Sequence, residues 1–527
     1  MMRGTSVPSV LMFVGMGFYL LFMILIGLLY ARRSNSDPEE YFLGKRKLGP
    51  WVTALSAEAS DMSGWLLMGV PGLAYFTGMA EAFWTALGLA LGTAINWHIV
   101  ARRLRIYSQS TKSITLPAFF SNRFHDQKRI LMTIAATVIL IFFSVYTGAQ
   151  FVTFGKFFSY VLGVKQYYPA MVIAGAVVLL VYTLTGGFLA VCMTDLIQGI
   201  LMFCALLLVL TLSLVHSGGL SGFLERLADF PQFLSIFAIA VPADTAGNAS
   251  SVQAVIEGVP QFTNGSPYSL LNIVSCLAWG LGYFGMPQVL IRFMAIQSPT
   301  KLHQSKYIAV LWCAISLSAA VVLGLLGRAL FPVLLNTAVD AENIFIHLSI
   351  QFFPSLIAGL VLSGILAATM SSADSYMLAV SSSLANDLFK GIIRKDADKK
   401  AVLIVARVAI LIVTIFGVIV ALFEDSSIFR IVSYAWAGLG AAFGPLMLFS
   451  LFWKRTSLTA AIAGMLSGGI IVILWKSVIS KIGGIFAVYE LLPAFIISCL
   501  VIFVVSLLTP VPSAAIQREF ERVTRKL

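Results

Sequence analysis

Charge is scarce in this sequence. Only 11% of the 527 residues are Asp, Glu, Lys or Arg, whereas hydrophobic residues make up 59%. Soluble globular proteins carry about a quarter charged residues, so the composition excludes a large soluble enzyme. Long apolar runs approach the roughly 20 residues that an α-helix needs to cross a bilayer. The alternating pattern of a membrane β-barrel is missing. The sequence therefore predicts an all-α polytopic membrane protein.

Cysteine and histidine are also rare, with five residues of each type scattered along the chain. The cysteines form no CxxC pair, and we expect them to be small buried hydrophobic residues rather than a disulfide framework or a metal site. No nucleophile and base stand together in a recognisable constellation. We therefore expect neither an enzyme nor a bound cofactor. The cysteines are Cys192, Cys204, Cys276, Cys313 and Cys499.

Apolar runs between charged or Gly/Pro-rich breaks predict about thirteen membrane-spanning helices. The predicted spans are 9–31, 50–76, 81–101, 130–160, 168–186, 189–215, 268–290, 308–331, 355–384, 401–422, 430–452, 458–476 and 489–509.

Basic residues orient these helices. With the N-terminus outside and the C-terminus inside, most of the 35 Lys and Arg residues fall in inner segments, from Arg32 and Arg33 to Lys526. The positive-inside rule predicts this bias. The net charge of +12 is thus a topology signal, and no nucleic-acid partner is expected.

Two predicted spans are interrupted by residues that destabilise a helix. One break is Ser60–Gly64, and the other is Trp279–Pro287, with three glycines and a proline. In hydrocarbon, freed backbone groups need protein or water partners. A simple kink packed against neighbouring helices is the alternative to a binding site.

The position of the breaks favours a site, because each break opens a run of five predicted helices. An odd number of spans gives the two runs opposite orientations, the pattern of an inverted-repeat transporter with its site near the midplane. The predicted division is a first helix and inner loop (1–49), repeat one (50–216), an outer loop (217–267), repeat two (268–453), and two flanking helices with a cytoplasmic tail (454–527).

A third polar feature lies in ILAATMSSADSYM, where Thr369, Ser371 and Ser372 interrupt an apolar helix. Serine hydroxyls often bond back to carbonyls of their own helix. Alternatively, hydroxyl and carbonyl oxygens together suit a hard monovalent cation such as Na⁺. This pattern leaves both interpretations open.

Five long motifs resemble the sodium/solute symporter family, and within it most closely the sodium/proline symporters. The resemblance extends over nearly the whole chain, in order and with similar spacing. The motifs are TALSAEASDMSGWLLMGVPG (53–72), GGFLAVCMTD (186–195), WGLGYFGMPQVLIRFMA (279–295), GILAATMSSADS (364–375) and VSYAWAGLGAAFGP (432–445).

The resemblance implies a LeuT-type fold of five plus five inverted helices, and it assigns roles to individual residues. It implies a sodium site formed by the carbonyls of Ala59, Met62 and Ala368 with the hydroxyls of Ser371 and Ser372. It implies that Asp61 and Asp195 lie on the ion path, although an acid near the membrane interface, such as Asp195, can instead be solvated. The implied substrate residues are Asp61, Ser63, Trp65, Tyr146, Trp279, Tyr283 and Pro287.

The function that this resemblance implies is uptake of L-proline coupled to inward Na⁺ movement by alternating access in the plasma membrane. The expected partners are proline, Na⁺ and the lipid bilayer, with no protein partner evident. Whether Li⁺ replaces Na⁺ is left open. The alternatives are the same mechanism with another small organic solute, a channel, or a membrane sensor. A sensor is disfavoured because the segment after Pro510 is too short for an output domain.

Glu58 departs from the resemblance, because sequences of the family usually carry a small residue, typically glycine, at this position. Three interpretations compete. The carboxylate is ionised and paired with a basic residue on a neighbouring helix, or it is protonated because burial disfavours its charged form. In the third interpretation, Glu58 joins the cation path. We favour the first two.

Overall fold

Helices account for most of the chain in a computed structural model, which describes residues 9–34, 38–230, 232–263, 265–423 and 427–526. Within these ranges, eleven helices are long and apolar enough to cross a membrane, or twelve if one bent pair counts as a single span. The all-α polytopic architecture predicted from composition is thus confirmed.

The helices before the long 217–267 segment include five that pass the membrane test. In chain order they are α1 (Val10–Ser34), α2 (Pro38–Leu43), α3 (Pro50–Asp61), α4 (Val70–Thr77), α5 (Met79–Ile95), α6 (Ala101–Ser110), α7 (Leu116–Arg123), α8 (Ile130–Leu162), α9 (Tyr168–Thr185) and α10 (Phe188–His216).

The remaining helices follow the same pattern of long apolar spans with short connectors. They are α11 (Gly219–Ala228), α12 (Leu270–Leu277), α13 (Pro287–Ala295), α14 (Leu302–Leu330), α15 (Ala338–Ala341), α16 (Ile344–Phe352), α17 (Ser355–Ser382), α18 (Lys399–Phe423), α19 (Ile428–Phe452), α20 (Leu458–Ser477), α21 (Leu491–Leu508) and α22 (Ala514–Thr524).

The segment between α10 and α12 carries four two-residue strands in two antiparallel pairs. Strand β1 (Ala238–Ile239) pairs with β4 (Ser266–Pro267), and β2 (Val255–Ile256) pairs with β3 (Val259–Pro260). The segment packs over the start of α5, since the indole N–H of Trp84 donates to the carbonyl of Ile236 at 2.7 Å. These contacts place it at one end of the helix bundle.

The first predicted break is present between α3 and α4. Helix α3 ends at Asp61, and a wide π-type turn over Trp65–Gly69 precedes α4. Helix α8 passes so close to the break that a Cβ on Gly64 would lie 2.5 Å from a methyl carbon of Thr153. The break therefore packs so closely against α8 that only glycine fits at position 64.

The second predicted break separates α12 from α13. Eight residues, Ala278–Gly285, form a tight 3₁₀ segment, and α13 starts at Pro287 after a bend of 43°. A Cβ on Gly280 would lie 2.2 Å from the carbonyl oxygen of Gly88, so α5 touches the backbone of this break. Pro287 fits because the first helical position needs no N–H donor.

Most predicted span boundaries agree with the structure to within a few residues, but four do not. The span predicted as 268–290 runs to Ala295, the span predicted to begin at 308 begins at Leu302, and two other spans end later than predicted. The helix that begins at Met79 runs to Ser110 rather than 101, because basic residues end the apolar run without ending the helix. Helix α17 continues through a π-type segment to Ile393 rather than 384. Pro50–Thr77 falls outside the count of eleven or twelve because its halves are short. The number thirteen and the orientation of the termini therefore stay predictions.

The prediction that the cysteines are buried is only partly correct, and the side chains of the first basic residues behind the predicted orientation are not described. Cys204 is exposed on the surface of the bundle rather than buried, whereas Cys192, Cys276 and Cys313 are buried as expected. The side chains of Arg32 and Arg33, the first inner basic residues, lie outside the described part of the structure.

Candidate functional site

The first oxygen cluster forms where the break in α3 meets α17. The N–H of Ser63 turns back to the carbonyl of Asp61 at 2.9 Å, so it does not continue the helical pattern toward Ala59. The carbonyl of Ala59 instead lies 2.8 Å from the hydroxyl of Ser371 and 3.4 Å from that of Ser372. The broken helix thus presents a backbone oxygen to two side-chain oxygens.

The hydroxyl of Ser371 lies near more carbonyl acceptors than it can donate to. This hydroxyl also lies 2.9 Å from the carbonyl of Ala367 and 3.2 Å from that of Ala368. A hydroxyl has one hydrogen, so it donates to only one of these three carbonyls. An oxygen-rich cluster of this kind is suited to a small hard cation.

Four of the five predicted sodium ligands therefore lie together, namely Ala59, Ala368, Ser371 and Ser372. The fifth, Met62, is the fully buried residue at which α3 terminates. Back-bonding of the serine to its own helix, the alternative drawn from sequence, is also present. It coexists with the contact to Ala59, which the chain order alone does not reveal.

Asp61 joins the two broken helices. It is fully buried, and its two carboxyl oxygens accept from the hydroxyl of Tyr283 at 2.8 Å and from the amide of Gln288 at 3.1 Å. The indole N–H of Trp65 donates to the carbonyl of Asp61 at 3.3 Å. One acid thus ties the break after α3 to both sides of the break before α13.

Aromatic rings line the same region. Trp65 and Trp279 lie 6.4 Å apart between ring centroids, one from each break. Tyr283 meets Trp436 edge-on at 5.0 Å, and the indole N–H of Trp436 donates to the carbonyl of Trp279 at 2.8 Å. Aromatic faces of this kind can bury an apolar ring and attract an ammonium group.

Two buried hydroxyls near Asp61 make no hydrogen bond of good geometry within the described residues, although they lie close enough to interact with each other. They belong to Ser63 at the first break and Tyr146 on α8. Tyr146 stacks on Tyr376 of α17 at 4.3 Å. A buried polar group without a good hydrogen bond costs free energy, so both hydroxyls can bond to a polar ligand. Pro287, the last of the predicted substrate residues, is buried at the start of α13.

Asp195 lies in a second polar cluster, which we call the inner network, composed of Ser56, Asp195, Arg292 and Ser375. The guanidinium of Arg292 donates to Asp195 at 2.9 Å, to Ser375 at 2.7 Å and to Ser56 at 2.9 Å. Asp195 is fully buried, so the alternative prediction that it is a solvated acid near the membrane interface is wrong. The network joins α3, α10, α13 and α17 at one point.

A model of one transporter family matches residues 41–468 of the chain, spanning all of this geometry. The chain belongs to the sodium:solute symporter family. This membership makes it a multi-pass transporter rather than an enzyme.

Two curated relatives of this symporter align over nearly their full length. The chain is 42% identical to a protein named high-affinity proline transporter PutP from Bacillus subtilis strain 168, over 94% of this chain and 98% of that one. It is 40% identical to a sodium/proline symporter of Escherichia coli K12, over 95% and 94% of the two chains.

The fold of the symporter also matches a solved structure. A Na⁺-coupled sialic acid symporter in a substrate-bound, outward-open state aligns with a TM-score of 0.73, covering 96% of this chain and 99% of that one at 17% identity. This likeness confirms the LeuT-type fold that the sequence motifs implied.

Sequence reasoning missed several residues of this symporter that contact the predicted ones. Gln288 follows Pro287 directly and holds Asp61, while Trp436 orients Trp279. Ser56 and Ser375 complete the inner network. Each of them is a polar or large aromatic residue in an apolar span, which is a weak signal until the fold brings the spans together.

Glu58 has a neutral partner rather than a basic one. The indole N–H of Trp97 donates to one carboxyl oxygen at 3.2 Å, and the second oxygen has no partner in the described part of the chain. No Lys or Arg of the described residues pairs with it, so the interpretation as a buried ion pair is wrong. A buried charge without a cation is costly, which favours the protonated form.

Proposed function

We propose that the protein couples inward movement of Na⁺ to uptake of L-proline across the plasma membrane by alternating access. The observation that carries this proposal is the buried junction at Asp61, where two broken helices meet beside an oxygen cluster. Two relatives at 42% and 40% identity, named as proline transporters, support the choice of solute.

Sodium is proposed to bind between the end of α3 and the middle of α17. The proposed ligands are the carbonyls of Ala59, Met62 and Ala368 and the hydroxyls of Ser371 and Ser372. All five ligands are neutral, so they hold the ion weakly enough to release it. A cation would also relieve the crowding of carbonyl oxygens around Ser371, because it attracts oxygens that otherwise repel each other.

Proline is proposed to bind on the other side of Asp61, against the aromatic residues. Its apolar ring suits the faces of Trp65 and Trp279, and its ammonium suits both these faces and the Asp61 carboxylate. The buried hydroxyls of Ser63 and Tyr146 and the opened backbone near Tyr283 and Pro287 can bond to its polar groups. Asp61 then contacts both binding regions, which couples them.

Alternating access is proposed to move two helix runs, 50–216 and 268–453, against each other as inverted repeats. The other proposed segments are 1–49, 217–267 and 454–527, with the N-terminus outside and the C-terminus inside. In this orientation the inner network closes the path from the sodium region to the cytoplasm. Asp195, at its centre, would meet Na⁺ on release.

The membrane potential drives this cycle inward when Na⁺ enters with a zwitterion. Each positive charge gains about 2.3 kcal/mol per 100 mV. The solute adds no net charge, so the coupling ion alone carries the electrical work. A channel would lack this coupling and would not accumulate solute.

The test is uptake of radiolabelled proline by proteoliposomes that contain the purified protein. An imposed inward Na⁺ gradient should drive accumulation above equilibrium, whereas K⁺ or choline should not. A panel of unlabelled amino acids should compete in proportion to their likeness to proline, and Li⁺ can be compared with Na⁺ in the same assay. Equilibration without accumulation would indicate a channel, and competition only by a different solute would identify another substrate.

A further inference from the structure

A cavity of about 550 Å³ opens at the end of the bundle where the 217–267 segment lies. We call it the outer cavity. Its floor includes Trp279, the aromatic residue that opens the second break, and its walls come from α4, α5, α12 and α19. The outer cavity therefore reaches from the surface to the upper edge of the proposed proline region.

Two opposite charges face this cavity and attract each other. Glu81 lies in the first turn of α5, and Arg430 lies in the first turn of α19. Within the described residues, neither side chain makes a hydrogen bond or ion pair. Other charged groups of the walls are paired: Glu342 accepts from Lys156 at 2.6 Å, and Lys476 lies 3.4 Å from Glu490.

The helix dipole affects these two charges in opposite ways. The helix dipole at the start of α5 favours a negative charge at Glu81. A cation at the same place is destabilised, because the helix N-terminus is itself positive. The carboxylate of Glu342 accepts from the N–H of Phe429 at the start of α19 at 3.5 Å, whereas the Arg430 guanidinium forms no ion pair within the described residues and can donate to a carboxylate that enters the cavity.

The floor between the charges is aromatic. Trp279 lies 4.9 Å from Phe429 and 5.3 Å from Tyr489 between ring centroids. Such rings provide an apolar surface with a negative face that also attracts cations. The outer cavity therefore presents a positive group, a negative group and an apolar surface together.

We propose that the outer cavity is an entry site for a zwitterionic amino acid, with Arg430 receiving its carboxylate and Glu81 its ammonium. The apolar side chain of the solute lies on the Trp279 and Phe429 rings. This inference rests on the proposed amino-acid transport. Occupancy raises the local concentration of solute directly above the Trp65–Trp279 pair and precedes transfer to Asp61.

The test measures initial rates of Na⁺-driven proline uptake in proteoliposomes for Glu81→Gln and Arg430→Gln. Two control variants remove the same charges nearby but outside the cavity, Glu257→Gln in the exposed loop and Lys481→Gln after α20. Each cavity variant should raise the KM for proline about two- to fivefold, as expected for partly exposed charges. The kcat should stay constant, because a saturating proline concentration fills the proposed proline region beside Asp61 even when the outer cavity binds proline weakly.

Charge-specific readouts separate an entry site from a structural role. Arg430→Lys should restore the KM, Arg430→Glu should raise it further, and added choline chloride at constant Na⁺ should shrink the differences by screening. Unchanged KM values in both cavity variants, equal shifts in the controls, or a fall in kcat alone would overturn the entry site. Wild-type protein that fails to accumulate proline would instead defeat the proposed function together with this inference.

Discussion

Ser375→Ala tests whether the inner network holds the inner path closed. The hydroxyl of Ser375 accepts from Arg292 at 2.7 Å, and the guanidinium keeps its contacts to Asp195, Ser56 and the Gln288 carbonyl after the change. The substitution therefore removes one charged hydrogen bond from Arg292 and a weak one, at 3.5 Å, from the Ser375 hydroxyl to the buried Asp374, while Arg292 stays paired with Asp195. A charged hydrogen bond contributes about 1.5–3 kcal/mol.

The expected consequence is a shift of population toward the state that is open to the inside. A loss of about 1.5–2 kcal/mol from the closed state alone raises the open fraction roughly ten- to thirtyfold. Cys192 can report this shift, because it is fully buried one helical turn before Asp195 on α10. Opening the network exposes this thiol to reagents that arrive from the inner side.

The assay is the rate of maleimide labelling of Cys192 in a background in which the other four cysteines are replaced. Ser375→Ala should speed labelling about tenfold or more. Ser381→Ala is the matched control, because Ser381 is a buried serine of the same helix whose hydroxyl bonds back to Leu378 at 2.9 Å. Equal labelling rates in Ser375→Ala and the parent would refute the reasoning.

Further predictions concern the sodium region, Glu58 and the second break. Ser371→Ala should raise the Na⁺ concentration for half-maximal proline uptake about tenfold, since one proposed ligand is lost, whereas Ser381→Ala should leave it unchanged; equal Na⁺ dependence would remove Ser371 from the site. Glu58→Gln keeps an acceptor for Trp97 and should fold normally, whereas Glu58→Leu orphans the indole N–H and should cost about 1–3 kcal/mol, seen as a lower Tm of the purified protein. If Glu58 carries coupling, Glu58→Gly should change the sodium or pH dependence of uptake, and an unchanged dependence excludes that role. Gly282→Ala places a Cβ 2.0 Å from the indole nitrogen of Trp436 and should destabilise the protein by about 1–3 kcal/mol, again measured by Tm; wild-type stability would show that Trp436 can move aside.

Composition and local chemistry were sufficient for the architecture and for both helix breaks. A membrane helix must satisfy its backbone internally, so a long apolar run has few structural choices, and glycine or proline within it marks a departure. The pairing of Ser60–Gly64 with Trp279–Pro287 followed from counting spans between them. Span ends were less predictable, because the helix past Arg102 and Arg103 leaves the apolar run yet keeps its hydrogen bonds.

Contacts between distant segments were decided only by the tertiary structure. Asp61 and Tyr283 are 222 positions apart, and Arg292 and Asp195 are 97 apart, so local patterns carry no information about their meeting. Glu58 illustrates why its hydrogen-bond partner could not be predicted from the sequence. The sequence determined that a carboxyl group lies within a membrane span, whereas the packing of α3 against its neighbours decided that its partner is an indole N–H and not a cation.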